Sequence, residues 1–206
     1  MLSERAIEMQ KDIYVCFVDY KKASDNVRHA QSLQDLAETG LDTKDLCLLL
    51  ELYWKQSATI RIKENSGRSI RILKGARQGC VTSPDFFNLY ADKILSHLED
   101  HGYEGISVAG RNLNNLCYVD DMTLVADSES KLQKLLDVVV QESGNRGLKV
   151  NIKKTFSMVI SKAKVPPKCS IFVNGKKVQQ VNSFSCLGSL VTSDGKSEQD
   201  IKQRIE

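Results

Sequence analysis

Apolar and polar positions along this chain fall into several rhythms, and each rhythm predicts an element. "DIYVCFVDY" (12–20) is an apolar run rich in β-branched and aromatic residues that ends on an acid, which predicts a strand. Residues 4–11 read as the end of a helix, and helical segments are expected around 30–39 and 42–55. In "SATIRIKEN" and "RSIRILKG", Ile60, Ile62, Ile70 and Ile72 alternate with Arg or polar residues. That alternation predicts a hairpin turning at Asn65–Gly67.

Ser83-Pro84 opens the clearest helix, with Ser83 as N-cap and proline at the first helical position. Phe87, Leu89, Tyr90, Ile94, Leu95 and Leu98 carry it to about residue 99. "NLCYVDDMTLVAD" (115–127) reads as an apolar hairpin with an acidic tip. "SESKLQKLLDVVVQESGNRG" follows, with Leu132, Leu135, Leu136 and Val139 at helical spacing and Gly147 near the end. Short strands are expected near 148–152, 155–161, 170–173, 177–181 and 184–191, and a last helix near Ser197. The fold class is α+β, with Pro166-Pro167 as linker between a main body (1–165) and a small β-rich extension (166–206).

Composition narrows the function classes without choosing among them. Hydrophobic content of 41% and charged content of 27% over 206 residues are those of a globular protein. No run approaches the roughly 18 apolar residues of a membrane span, and no membrane partner is expected. Six scattered cysteines without CxxC spacing argue against a zinc site or disulfide framework and for an intracellular, reducing setting, nuclear or cytoplasmic. Charge is uneven: Gly144 to Glu206 holds twelve Lys/Arg against four Asp/Glu, so the remainder is net acidic. A basic surface for a polyanion beside an acidic cluster for cations fits this, and so does a solvated lysine-rich face.

The acids are the sharper signal. Asp120 and Asp121 interrupt an apolar hairpin, and Asp19 ends an apolar strand 101 positions earlier. Burying carboxylates is costly unless something compensates. Nucleotidyl transfer uses such groups to hold Mg²⁺, whose hard oxygen shell is completed by water and substrate phosphate. Two ions roughly 3.5–4 Å apart can activate the attacking oxygen and stabilise the leaving one. Taken alone, a DD turn or a strand-terminal Asp is more often structural.

Five ordered blocks add context: "FVDYKKASDNVRH" (17–29), "KGARQGCVTSPDFFNLYADKIL" (74–95), "CYVDDMTLVADSESKLQ" (117–133), "GLKVNIKKT" (147–155) and "FSCLGSLVTSDGKSEQDIKQRI" (184–205). Together they resemble the reverse transcriptase domain of non-LTR (LINE-type) retrotransposons. The resemblance implies a polymerase palm with part of the fingers in 1–165, and a primer-grip-like segment leading toward the thumb in 166–206. It implies Asp19, Asp120 and Asp121 as catalytic carboxylates holding two Mg²⁺ ions. It places Tyr20, Ser24, Arg77, Gln78, Gly79 and Lys154 (or its neighbour Lys153) around the incoming nucleotide. Phe184, Cys186, Leu187 and Gly188 fall at the primer grip. RNA template, DNA primer and dNTPs are the implied partners, with missing fingers and thumb segments supplied by a longer parent protein.

The sequence departs from the family pattern at two telling places. Ser24 stands where an aromatic residue usually excludes ribonucleotides, and Cys186 stands where the primer grip usually has tyrosine. Thr82, Val119 and Met122 are smaller departures. The expected activity is therefore RNA-directed DNA polymerisation, and the alternative is an impaired palm retained as an RNA- or protein-binding module. A nucleotidyl cyclase on a related palm is disfavoured by "RQGCVTSP" and the primer-grip-like block.

Overall fold

The computed structural model describes residues 11–77, 79–80 and 82–205. The helix expected over 4–11 lies almost wholly outside the described residues, as does Gln78. The first predicted strand is β1, Ile13–Val18. It is the middle of a five-stranded sheet of order β5-β4-β1-β3-β2. Here β2 is Asn115–Tyr118, β3 Asp121–Ala126, β4 Phe156–Ile160 and β5 Gln179–Gln180. β1 runs antiparallel to both neighbours, with Val18 opposite Met122 and Phe17 opposite Phe156. β5 pairs parallel to β4.

Successive strand residues point to opposite faces, and both faces of this sheet are covered, so nearly every β1 position is apolar. Behind the sheet lie α2 (Ser83–Asp100) and α3 (Glu129–Asn145), and α1 (His29–Glu38) packs on α2. Cys16, Val18, Leu124 and Ala126 share a core with Tyr90 and Leu98 of α2 and Leu132 and Leu136 of α3. On the front, Val15, Phe17, Val125 and Met158 pack with Phe184 and Val191 of a hairpin made by β6 (Ser183–Cys186) and β7 (Ser189–Thr192). Phe184 stacks on Phe17 with ring centres 4.1 Å apart. Each such side chain contributes about 1.5–3 kcal/mol by leaving water.

The helices are fastened to one another at a corner built around Arg146. Arg146, just past α3, makes a two-pronged ion pair with Asp35 of α1 at 2.7 and 3.0 Å, both side chains largely buried. The Tyr90 hydroxyl of α2 lies within hydrogen-bonding reach of Gln31 Oε1, at 2.8 Å, and of the Arg146 carbonyl, and its one hydrogen serves one of them at a time. Gly147, at φ +84°, then turns the chain beside the Arg28 guanidinium, where a Cβ would lie 2.6 Å from Nε.

Several local expectations change. Ser83 is the first helical residue and Thr82 the N-cap; the Ser83 hydroxyl instead donates to the Arg77 carbonyl at 2.7 Å, tying down the loop before it. The predicted 57–72 hairpin forms as two short ladders, Ser57–Ala58 with Ile70–Arg71 and Arg61–Ile62 with Asn65–Ser66. Its turn therefore falls at Lys63–Glu64, with Lys63 at φ 55°, not at Asn65–Gly67. The strand expected over 148–152 reduces to one bridge, Tyr20 with Val150. An unforeseen hairpin, Ile106–Val108 with Arg111–Leu113, puts Ile106 against the front of the sheet. Beyond Pro166-Pro167, Cys169, Ile171, Val173 and Val178 enter the same core as the helices. Among the described residues no helix is long and apolar enough to cross a membrane.

Candidate active site

The site forms at the end of the sheet where β1 finishes and β3 begins. Antiparallel pairing puts Val18 opposite Met122, so Asp19 and Asp121 emerge side by side. Tyr118 pairs with Asp121, which makes Val119–Asp120 a two-residue hairpin tip. Val119 sits there at φ 54°, a backbone region that β-branched residues avoid. Asp19 is pinned through its backbone: its amide donates to Thr155 Oγ1 at 3.3 Å, and its carbonyl accepts from Asn151 at 2.7 Å.

Electrostatics show that Asp121 senses the other two acids. The Asp121 carboxyl is held above its ordinary range by partial burial first, then by the charges of Asp120 and Asp19. A cation would relieve that repulsion. Among the described residues, no three His, Cys, Asp or Glu side chains form a ready-made metal cage. Magnesium needs only one or two carboxylates when water and substrate phosphate complete its shell. The residues fit an ion whose coordination a phosphate substrate completes.

Two clefts meet at Asp19 and Lys154. The front one, about 190 Å³, is lined by Asp19, Asp121, Thr123, Lys154, Phe184 and Cys186. The larger, about 780 Å³, gathers Asp19, Asp120, Lys21, Lys22, Asn151 and Lys154, with Ser24 and Asn26 on its wall. Carboxylates and lysines facing one space can hold cations and phosphates together. A third cleft of about 370 Å³ joins Ser24 to Arg77, Gly79, Cys80, Phe87 and Val119. Its floor is the loop after Lys74, which docks on the β1 side through Ala76 N–H to the Ser24 carbonyl at 2.7 Å and Gly75 N–H to Val27 at 2.8 Å.

The residues expected around the nucleotide separate into groups. Tyr20, Ser24, Arg77, Gly79 and Lys154 line the clefts, and Lys153 does not share their walls. Tyr20 is buried: its hydroxyl bonds Ser143 at 2.8 Å and lies 3.9 Å from the Met122 sulfur, and burial pushes it up to about 12. Its ring braces the floor of the site from within the core. Of the primer-grip residues, Phe184 packs on the sheet and Cys186 borders the Asp121 cleft, where burial raises its thiol and the Asp121 charge adds to that. Leu187 and Gly188 form the exposed hairpin turn, both at positive φ. Lys21, Lys22, Asn26 and Asn151 were not selected from the sequence; the Lys-Lys pair two positions after Asp19 was the available signal.

The profile of the family described as "Reverse transcriptase (RNA-dependent DNA polymerase)" matches residues 2–191. The Pol polyprotein of the type-1 retrotransposable element R2 of Nasonia vitripennis is 26% identical over 160 residues, 78% of this chain and 15% of that protein. An R2 Pol polyprotein of Popillia japonica is 24% identical over 192 residues, 90% of this chain and 32% of that protein. The chain thus spans a third or less of these relatives. In fold, a telomerase from Candida tropicalis, solved with a fragment of telomeric RNA, superposes with a TM-score of 0.68 at 14% identity, over 96% of this chain and 33% of that one. The RNA-dependent RNA polymerase of a human picobirnavirus gives 0.55 at 16% identity, over 95% and 32%.

Proposed function

The chain belongs to the reverse transcriptase (RNA-dependent DNA polymerase) family, and from that premise we propose that it is the palm of an RNA-directed DNA polymerase extending a DNA primer with dNTPs on an RNA template. The observation that carries this reading is the cleft shared by Asp19, Asp120, Lys21, Lys22 and Lys154. In the proposed step the primer 3′ oxygen bonds the α-phosphorus of the dNTP as the bond to the bridging oxygen breaks, and pyrophosphate leaves. Two Mg²⁺ ions, when bound, would polarise the phosphate and lower the pKa of the attacking hydroxyl.

Within that reaction Asp19, Asp120 and Asp121 supply oxygen ligands from two strand ends whose register fixes their separation. Lys154, with Lys21 and Lys22, faces the phosphate tail and offsets the charge of the departing pyrophosphate. The loop through Arg77 and Gly79 walls the base and sugar side, and Ser24 leaves room beside the sugar. The β6–β7 hairpin, held by Phe184, presents its turn to the primer end. Missing fingers and thumb segments belong to a longer parent polypeptide in this reading.

The test is Mg²⁺-dependent primer extension on an RNA template, with the chain alone and joined to the flanking segments of an R2 polyprotein. Asp120→Asn is expected to lower extension about 100-fold or more, since carboxylate-bound metal contributes several kcal/mol. If neither form extends a primer, polymerase activity is lost as a reading. RNA binding indifferent to Asp120→Asn would then support a retained binding module.

A further inference from the structure

The second half of the chain has a charge pattern that catalysis does not absorb. Residues 143–193 contain nine Lys/Arg and not one Asp or Glu. Arg146 is paired with Asp35. Among the described residues, none of the eight lysines in that stretch takes part in an ion pair.

These lysines occupy different places. Lys154 borders the catalytic cleft, with Lys149 and Lys153 beside it in sequence. Lys162, Lys164 and Lys168 follow Ile160, at the opposite end of β4. Rising about 3.3 Å per residue, β4 is about 13 Å long, roughly the length of four stacked nucleotides.

The far group stands on a loop that is already held. Ser161 N–H donates to the Ser193 carbonyl at 2.9 Å, and Ala163 N–H to Ser161 Oγ at 3.1 Å. The Gln180 amide then closes the loop, accepting from Cys169 N–H at 2.8 Å and donating to the Pro167 carbonyl at 2.8 Å. Lys162, Lys164 and Lys168 all project from it exposed.

Bordering carboxylates are engaged elsewhere. Asp194 accepts from Thr192 Oγ1 at 2.6 Å and Lys196 N–H at 3.2 Å, and Glu129 accepts from Ser170 N–H at 3.0 Å. Asp12 precedes Ile13, the partner of Ile160, and forms no ion pair with these lysines.

We infer that the 161–168 loop is a second nucleic-acid contact, separate from the catalytic cleft, which grips the phosphodiester backbone of a single strand. A loop ordered in advance loses little entropy on binding. Three unpaired ammonium groups gain affinity by displacing counterions from phosphates. Nucleic acid is favoured over an anionic membrane because the acid-free stretch carrying the loop also carries the lysine at the catalytic cleft. The inference does not rest on polymerase activity: failure of primer extension leaves it standing.

The experiment measures binding of the full chain to a labelled single-stranded oligonucleotide, prepared as RNA and as DNA, across a salt series. Lys162→Ala/Lys164→Ala/Lys168→Ala is expected to flatten the slope of log K against log salt by about 2, at about 0.7 per lost phosphate contact. Its thermal melting should match the parent. Bound oligonucleotide should also protect these three amines from acylation in the parent chain; whether RNA, DNA or both protect identifies the strand. An unchanged slope with unprotected amines overturns the inference. So does binding of the parent, but not the triple variant, to phosphatidylserine vesicles while oligonucleotide affinity stays the same.

Discussion

Two regions of this molecule carry apolar residues in strand patterns, a continuous run in β1 and an alternation with polar residues over 57–71, and they meet opposite fates. In the central sheet, β1 and β3 are enclosed on both sides, and Leu124 is 0% exposed. In the 57–71 hairpin, Ile60, Ile62 and Ile70 are 67%, 69% and 63% exposed. Both patterns predict strands correctly, the first as a short continuous apolar run and the second as period-two alternation. Neither pattern says whether a second layer exists to cover the apolar face. The sheet has α2, α3 and the β6–β7 hairpin; the outlying hairpin has no such layer among the described residues. Apolar periodicity and burial are therefore separate inferences, joined only by an element that supplies the cover.

That contrast can be broken by substitution. The largest loss is expected at the corner that fastens the covering helices: Asp35→Ala leaves the Arg146 guanidinium largely buried and unpaired, at a cost of about 3–5 kcal/mol, read from urea denaturation. Leu124→Ala should cost about 2–5 kcal/mol through the cavity left between β3 and the helices. Ile62→Ser, on the uncovered hairpin, should change stability by no more than about 0.5 kcal/mol in the same assay. A loss at Ile62 comparable to that at Leu124 would show that the hairpin has a cover after all.

Much of the site was legible because its residues lie at strand ends and tight turns. Asp19 was visible as the polar stop of an apolar run, and Asp120–Asp121 as charges interrupting one. The helices of 83–100 and 129–145 announced themselves through proline, serine and leucine spacing. What stayed hidden depends on contacts distant in sequence. Tyr20 lines the cleft beside Asp19 as expected, but nothing local shows that its hydroxyl bonds Ser143, 123 positions away. Asn151, inside the 147–155 block, enters the site because its backbone amide bonds the Asp19 carbonyl, 132 positions away. The hairpin at 106–113 is only three residues per strand, too short for alternation to register, and its signal was the Ala109–Gly110 turn at positive φ.

The position of β1 has a consequence for how the chain acquires its shape. Ile13 pairs with Ile160 and Tyr14 with Ala126, so the central strand has its partners more than a hundred residues downstream. Loops of that length must close before any ladder hydrogen bond rewards them, which slows folding. On a ribosome, β1 emerges before β3 and β4 as an apolar ribbon with two open edges and waits until they have followed. An unpaired strand of this kind is prone to aggregation. The segment that carries Asp19 is made before the strands that enclose it.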